Sequence, residues 1–197
     1  RQFALEKLRL DINEFLATQQ NHAVYFARFI YKHINNFVGP NRARVMSELI
    51  PDIDNIFQAW KYLLTQQDYP LLNQMISGLN LFFGTQGRFL EAKQLFQAAV
   101  IQLKPRMDSG DASLPLALNV YARTLLGHAD YLRCFENSDE LAYIYRQSEE
   151  IFNKAEQVGE DVRVERSWLY YVQAEICAKR DPERALHLIQ QSLQLYP

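Results

Sequence analysis

Apolar residues recur every three or four positions along nearly the whole chain, a spacing that predicts helices throughout. In the segment NHAVYFARFIYKHINNFV (21–38), one stripe is apolar while the opposite side carries polar residues such as Lys32 and Asn35. That stripe consists of Ala23, Phe26, Ala27, Ile30, Ile34, Phe37 and Val38. Gly39-Pro40 is expected to end the helix. Since no strand-type alternation of useful length interrupts the pattern, we predict an all-α protein.

Prolines and polar breaks divide the next part of the chain. A helix from about Arg42 reaches Pro51, whose ring and missing N–H should kink or restart it. The segment PDIDNIFQAWKYLL (51–64) then resumes, with Asp52 and Asp54 near the positive end of the helix dipole. The segment TQQDYP (65–70) predicts a break before the following helix.

The rest of the chain shows internal similarity. Two segments, GRFLEAKQLFQAAVIQLKP (87–105) and RDPERALHLIQQSLQLYP (180–197), align without a gap in their first part. A third, ENSDELAYIYRQSEEIF (136–152), fits the same pattern less well. Each follows another amphipathic helix, predicted at 71–85, 114–135 and 164–178. Helix pairs of this kind stack to bury their apolar faces, so we predict a right-handed α-solenoid of antiparallel helix pairs. The segment KPRMDSGDASLP (104–115) is expected to be a flexible connector.

The small–large–small pattern along the second helices resembles the tetratricopeptide repeat (TPR). The matching residues are Ala92, Phe96 and Ala99 in one segment and Ala185, Ile189 and Ser192 in another. The first helices depart from the pattern, because Asn80 and Gln173 stand where the family has a small residue. The spacing between repeats also exceeds the usual ~34 residues. In this the chain is similar to the longer repeats of the maltose-regulon activator and related bacterial sensors.

The succession of segments in the first half resembles the region after the winged helix of bacterial STAND-class NTPases, many of which are transcriptional regulators. The segments are RQFALEKL, NHAVYFARFI, PDIDNIFQAWKYLL and GRFLEAKQLFQAAV. The resemblance implies that Arg1 lies at the junction with an upstream winged helix. It also implies that residues 1–66 are linking helices and that residues 67–197 are about three TPR-like repeats, the last one truncated, in one continuous solenoid.

Motifs for catalysis and metal binding are not found in the sequence. It contains no G-x-x-x-x-G-K-[ST] phosphate-binding loop, no H-E-x-x-H and no paired C-x-x-C. His128 and Cys134 are six positions apart, which puts them on different sides of a helix, and His22 is expected to pack or cap. We therefore expect no enzyme activity, metal or cofactor in this chain. The resemblance places any NTPase machinery in an upstream domain of the same chain, which would also be a partner.

If the chain binds a ligand, the first helices of the repeats should line the concave face of the solenoid. The repeat register assigns to that face Gln74, Ser77, Thr85, Arg123, Asp130, Arg133 and Tyr170. Arginines on one helix face can hold a carboxylate or phosphate bidentately. The alternative for each charged residue is a solvated face with surface ion pairs. Among Trp168, Tyr170 and Tyr171, one or two should belong to the core and the third could be a stacking platform for a sugar or peptide.

Charge and composition restrict the partners. The net charge of −2 gives no basic patch for nucleic acid or an anionic membrane, and no apolar run approaches the ~20 residues of a membrane span. Cys134 and Cys177 lie in helical patterns and are expected to be reduced, which fits a cytoplasmic protein. Apolar faces left uncovered at the ends of an isolated array favour a homodimer at high concentration.

Three functions remain open from the sequence. The first is a non-catalytic sensor region of a STAND-type NTPase, a transcriptional regulator, which binds a protein, a peptide or a small-molecule inducer. The second is a stand-alone TPR adaptor that docks a peptide and has no nucleotide switch. The third attaches the same region to another output, such as a cyclase or kinase.

Overall fold

The computed structural model describes residues 12–109, 115–135 and 139–196, and within these ranges all regular secondary structure is helical. The prediction of an all-α protein is confirmed for this part of the chain. The chain divides into two compact units, the first ending at Gln86 and the second beginning at Gly87. The sequence placed the division between residues 66 and 67. The two positions differ because the helix that ends at Gln86 packs against the N-terminal helices.

Three helices in mutual contact form the core of the first unit. Its α-helices are α1 (Ile12–Lys32), α2 (Arg42–Leu49), α3 (Ile53–Gln66) and α4 (Tyr69–Gln86). Helix α1 packs against both α3 and α4, and α3 also contacts α4. Trp60, Phe82 and Phe83 are fully buried. Gly78 brings α4 close to α1, since a Cβ at this position would lie 2.7 Å from Cγ1 of Ile30.

Helix α1 ends at Lys32, earlier than the apolar stripe predicts. A 3-10 turn (Ile34–Asn36) follows, and Gly39 adopts a left-handed conformation with φ of 84°. Because the α-helical spacing no longer holds after Lys32, Val38 is 74% exposed although the stripe placed it on the buried face.

The helix boundaries around Pro51 and in TQQDYP agree with the sequence. A 3-10 turn (Ile50–Asp52) separates α2 from α3, so Pro51 restarts the helix as predicted. Gln67 ends α3 in the left-handed region with φ of 58°. The Asp68 carboxylate then accepts a hydrogen bond from the Leu71 N–H at 3.1 Å, which stabilises the first turn of α4.

The second unit is built from neighbouring helices that pack in sequence. They are α5 (Phe89–Ser109), α6 (Pro115–Leu132), α7 (Asp139–Gln157), α8 (Arg163–Cys177) and α9 (Pro182–Leu195). Helix α6 packs against α5 and α7, and α8 packs against α9 and also contacts α6 and α7. The small positions of the repeat pattern are buried, as predicted: Ala92, Ala99, Ser148, Ala185 and Ser192.

Helices α8 and α9 run antiparallel. The Ser167 hydroxyl donates to the carbonyl of Ser192 at 2.9 Å, and the Ser192 hydroxyl donates to the carbonyl of Ser167 at 2.8 Å. Further along α8, Ala174 clusters with Ala185 and Leu188, which lie earlier in α9. Later residues of α8 thus contact earlier residues of α9, so the two helices form an antiparallel pair.

Helices α5 and α6 form a second antiparallel pair by the same reasoning. The rings of Phe89 and Tyr131 lie 6.1 Å apart between centroids. Phe96 lies two turns after Phe89 in α5 and packs against Gly127, which precedes Tyr131 in α6. A Cβ added at Gly127 would lie 3.0 Å from Cδ1 and Cε1 of the Phe96 ring. Gly127 therefore permits the close approach of these two helices.

The predicted connector at 104–115 is wrong in its first part. Helix α5 continues through Pro105 to Ser109, and residues 110–114 lie outside the described residues. Proline removes the hydrogen bond to the carbonyl of Ile101. Ile101 and Pro105 are both exposed, so water can satisfy that carbonyl and the helix continues.

Candidate functional site

The residues that the sequence assigned to a concave face fall into two groups. Three lie on α4 in the first unit: Gln74, Ser77 and Thr85. All three are partly buried, and the carbonyl of Thr85 accepts a hydrogen bond from the Arg42 guanidinium at 3.2 Å. The other four lie in the second unit, on α6, directly after its last residue, or on α8: Arg123, Asp130, Arg133 and Tyr170.

A row of polar contacts joins α6 to α8 and to the turn just before α8. We call it the α6–α8 ladder, and its three contacts are Asn119–Glu160, Arg123–Glu165 and Arg133–Glu175. The nitrogen-to-oxygen distances are 2.9, 3.5 and 3.1 Å in that order. The first contact joins residues 41 positions apart, and the other two are one position wider. A nearly constant separation means that α6 and α8 run parallel, displaced by one repeat.

The middle contact of the ladder is the most enclosed. The side chains of Arg123 and Glu165 are only 16% and 15% exposed. Burial lowers the pKa of Arg123, and the negative charge of Glu165 opposes that shift. Because an arginine stays charged even under such a shift, each member of the pair compensates the burial of the other.

The last contact belongs to a larger cluster around Arg133. Its guanidinium binds the Asp130 carboxylate at 2.7 Å and Glu175 at 3.1 Å, and the Tyr171 hydroxyl donates to Glu175 at 2.8 Å. Burial lowers the pKa of Arg133, but the hydrogen bond and charge of Asp130 and the charge of Glu175 outweigh it, so the pKa is raised. Burial raises the pKa of Asp130, and Arg133 offsets part of that rise.

These ion pairs change the interpretation of the arginines. An incoming carboxylate or phosphate would have to compete with Glu165 at Arg123, and with Asp130 and Glu175 at Arg133. The arrangement therefore suits contact between helices better than an open anion site. The arginines therefore form ion pairs, as the alternative interpretation of the sequence expected, but these pairs are more buried than those of a solvated helix face.

The aromatic cluster on α8 divides between core and surface. Tyr170 packs against the apolar cluster that joins α8 to α9. Trp168 and Tyr171 are 43% and 38% exposed, and their rings stack with centroids 5.5 Å apart. Any stacking platform is thus formed by Trp168 and Tyr171, with Tyr170 supporting the helix pair.

The remaining candidates for chemistry have ordinary packing roles. The Cys134 thiol donates to the carbonyl of Asp130 at 3.7 Å, and partial burial raises its pKa, which disfavours the reactive thiolate. The His22 ring packs on Phe26 with centroids 4.6 Å apart. Among the described residues, no group of three or more His, Cys, Asp or Glu side chains could hold a metal ion. Within the same ranges, no helix combines the length and apolar character that crossing a bilayer requires.

The acidic half of the ladder was missed by the sequence reasoning. Glu160, Glu165 and Glu175 were not assigned to any site, although the constant offset between opposite charges was present in the sequence. Arg123 and Glu165 are separated along the chain by the same number of positions as Arg133 and Glu175. Opposite charges at a constant offset fit two neighbouring helices that run parallel.

Comparison with known proteins gives no match: no family model, no curated protein and no solved structure matches the chain. The resemblance to TPR proteins and to STAND regulators therefore stays a prediction.

Proposed function

We propose that this chain is a non-catalytic helical-repeat module that serves as the sensor region of a STAND-type signalling NTPase, a cytoplasmic transcriptional regulator. The observation that supports the proposal is the α6–α8 ladder, in which two first helices pack in parallel one repeat apart. Arrays that stack in this way present their first helices as one extended binding surface.

The switch would follow from differential binding. An upstream NTPase domain of the same chain alternates between a closed state that holds ADP and an open, oligomeric state that holds ATP. The repeats contact that domain in the resting state, and an inducer binds them more tightly in the open state. Only such a difference in affinity can shift the balance between the two states.

Helix α8 offers the best surface for an inducer or a partner. Val164, Trp168 and Tyr171 share one face of the helix and are 51%, 43% and 38% exposed. We call these three residues the α8 ledge. Stacked, exposed aromatic rings suit the apolar side chains of a peptide or the face of a sugar. The ledge also favours the second candidate function, a peptide-docking adaptor without a nucleotide switch.

The decisive experiment compares ATP and ADP binding by the full-length parent protein with binding by this chain. We expect the parent to bind nucleotide and this chain to bind none. Failure of both to bind would overturn the NTPase assignment and leave the adaptor. Tight binding by this chain alone would overturn both functions.

Charge reversal of Arg123 and Arg133 does not test the binding surface, because it would place new carboxylates against Glu165 and Glu175. The double variant Trp168→Ala/Tyr171→Ala removes both aromatic rings of the ledge without breaking an ion pair. We expect it to reduce the response of the parent to its activator while the melting temperature of the unit stays nearly unchanged.

A further inference from the structure

A cleft of about 350 Å³ opens in the second unit, between the first two turns of α7, the last turns of α8 and the start of α9. None of the residues that the sequence assigned to a binding face lines it. The volume lies within the range of about 300–1,000 Å³ that is typical of small-molecule sites.

The lining of the cleft combines an apolar floor with a polar rim. Leu141 and Leu188, both largely buried, form part of the floor together with the half-buried Ile176. The rim carries the guanidinium groups of Arg146 on α7 and Arg184 on α9. Among the described residues that line the cleft, none is acidic.

The two rim arginines differ from Arg133, Arg163 and Arg166 of the same unit. Arg133, Arg163 and Arg166 each form an ion pair with a carboxylate. Among the described residues, neither the Arg146 nor the Arg184 side chain has an ion-pair or hydrogen-bond partner. Two positive charges from different helices thus line one apolar cleft, and the described part of its walls carries no counter-charge.

We propose that this cleft binds a small amphipathic carboxylate. Its apolar body lies on the floor of Leu141, Ile176 and Leu188, and its carboxylate is held by Arg146 and Arg184. The planar guanidinium matches a carboxylate through two parallel N–H···O bonds, and an adjacent apolar floor lowers the local dielectric and strengthens those bonds. The site needs no nucleotide-binding domain, so this proposal is independent of the proposed function and is tested separately.

The test is calorimetric titration of the chain with 4-phenylbutyrate, and with 4-phenylbutyramide as its uncharged counterpart. The key variant is Arg146→Gln/Arg184→Gln, and the matched control is Lys179→Gln/Arg180→Gln, which removes the same charge from two exposed neighbouring positions outside the cleft. Since a hydrogen bond to a charged group contributes at least about tenfold in affinity, we expect the rim variant to bind 4-phenylbutyrate at least about tenfold more weakly. The control should stay within about twofold of the wild type.

A second variant tests the floor independently of charge. Ala142 lines the cleft and is exposed, so Ala142→Phe narrows the cleft without overpacking the core. We expect this variant to lose 4-phenylbutyrate binding and to keep the wild-type melting temperature. Acetate, which has the charge but no apolar body, should bind at least about tenfold more weakly than 4-phenylbutyrate.

Three results would overturn the proposal. The first is equal affinity of the wild type and the rim variant for 4-phenylbutyrate. The second is equal affinity of the wild type for the carboxylate and the amide. The third is no detectable binding of 4-phenylbutyrate to the wild type. Nucleotide binding by the parent protein is unaffected by any of them.

Discussion

The two units bring their helices together in different ways. In the first, α1, α3 and α4 contact one another around an aromatic core, and Gly78 permits a close approach of α4 to α1. In the second, neighbouring helices pack in sequence, and a row of charged and polar contacts then joins α6 to α8 one repeat apart. Similar apolar periodicity is thus compatible with two kinds of packing. In the first unit three helices surround one core, and in the second unit the same type of contact recurs between two parallel helices.

The largest expected effect is loss of an aromatic side chain from the core of the first unit. Phe82→Ala should lower the free energy of unfolding of that unit by about 3–5 kcal/mol, because the ring is fully buried. Trp60 lies in the same core, so its fluorescence during denaturant unfolding, in a Trp168→Phe background, reports on this unit alone. Tyr31→Ala, at a 54% exposed position, is the control. Equal losses in the two variants would contradict the described core.

A smaller loss is expected from breaking the ladder in the second unit. Arg123→Ala leaves the Glu165 carboxylate 15% exposed without its ion-pair partner, which should cost about 1–3 kcal/mol. Arg44→Ala, which breaks an exposed i,i+4 pair with Glu48 in the first unit, should lower the free energy of unfolding much less. The swapped variant Arg123→Glu/Glu165→Arg should recover most of the stability. Comparable small losses for Arg123→Ala and Arg44→Ala would show that the ladder contributes no more than a surface pair.

Replacing either of the buried glycines Gly78 and Gly127 with alanine should change the free energy of unfolding by less than the substitutions above. Alanine gains about 1 kcal/mol of helix propensity over glycine, whereas overpacking costs about 1–3 kcal/mol. At Gly78 the new Cβ would lie 2.7 Å from Ile30, so we expect a net loss of about 1 kcal/mol in thermal or chemical unfolding. At Gly127 the nearest ring carbons of Phe96 are 3.0 Å away, and the net change should be closer to zero. A gain in stability from Gly78→Ala would mean that α1 and α4 are not in close contact.

The smallest expected effect is a dependence of folding stability on pH, which arises from one buried histidine in each unit. Burial lowers the pKa of His33, with Glu48 opposing the shift and Lys32 and Arg44 adding to it. Burial lowers the pKa of His128 in the second unit as well. Since the unfolded chain binds protons near pH 6.5 and the folded units only at lower pH, stability should fall as the pH drops through about 6.5 and level off below the folded pKa.

Single substitutions separate the two histidines. His33→Gln should remove this acid-induced loss from the first unit, read by Trp60 fluorescence, and leave it in the second. Urea midpoints that rise on acidification would contradict the direction of both pKa shifts.

Sequence reasoning predicted the break at Pro51 and the buried face of the second helices well, but it misplaced the ends of α1 and α5. Pro51 restarts a helix because its ring and missing N–H act within one turn, and Ala92 and Ala99 are buried because helical spacing defines one face. Periodicity states which face is buried but not which helix covers it. For that reason the helix at 69–86 was assigned to the repeats, although it packs with the N-terminal helices.

The same limit applies to the candidate site. Arg123 and Arg133 were identified, but their glutamates depend on which helix lies beside α6. The cleft with Arg146 and Arg184 is formed by three helices, and its residues share no motif. It becomes visible only when α7, α8 and α9 are placed together.

The central claim is that α6 and α8 lie parallel, displaced by one repeat, and cysteine cross-linking tests it most directly. In a Cys134→Ser/Cys177→Ala background, Arg133→Cys/Glu175→Cys places two thiols at the last contact of the ladder. The control, Arg133→Cys/Arg163→Cys, uses an exposed residue about 18 Å away along α8. With a short bismaleimide reagent and mass spectrometry, we expect efficient intramolecular linkage of residues 133 and 175 and little linkage of 133 and 163. Equal linkage, or preferential linkage of 133 to 163, would contradict the parallel, one-repeat packing of these helices.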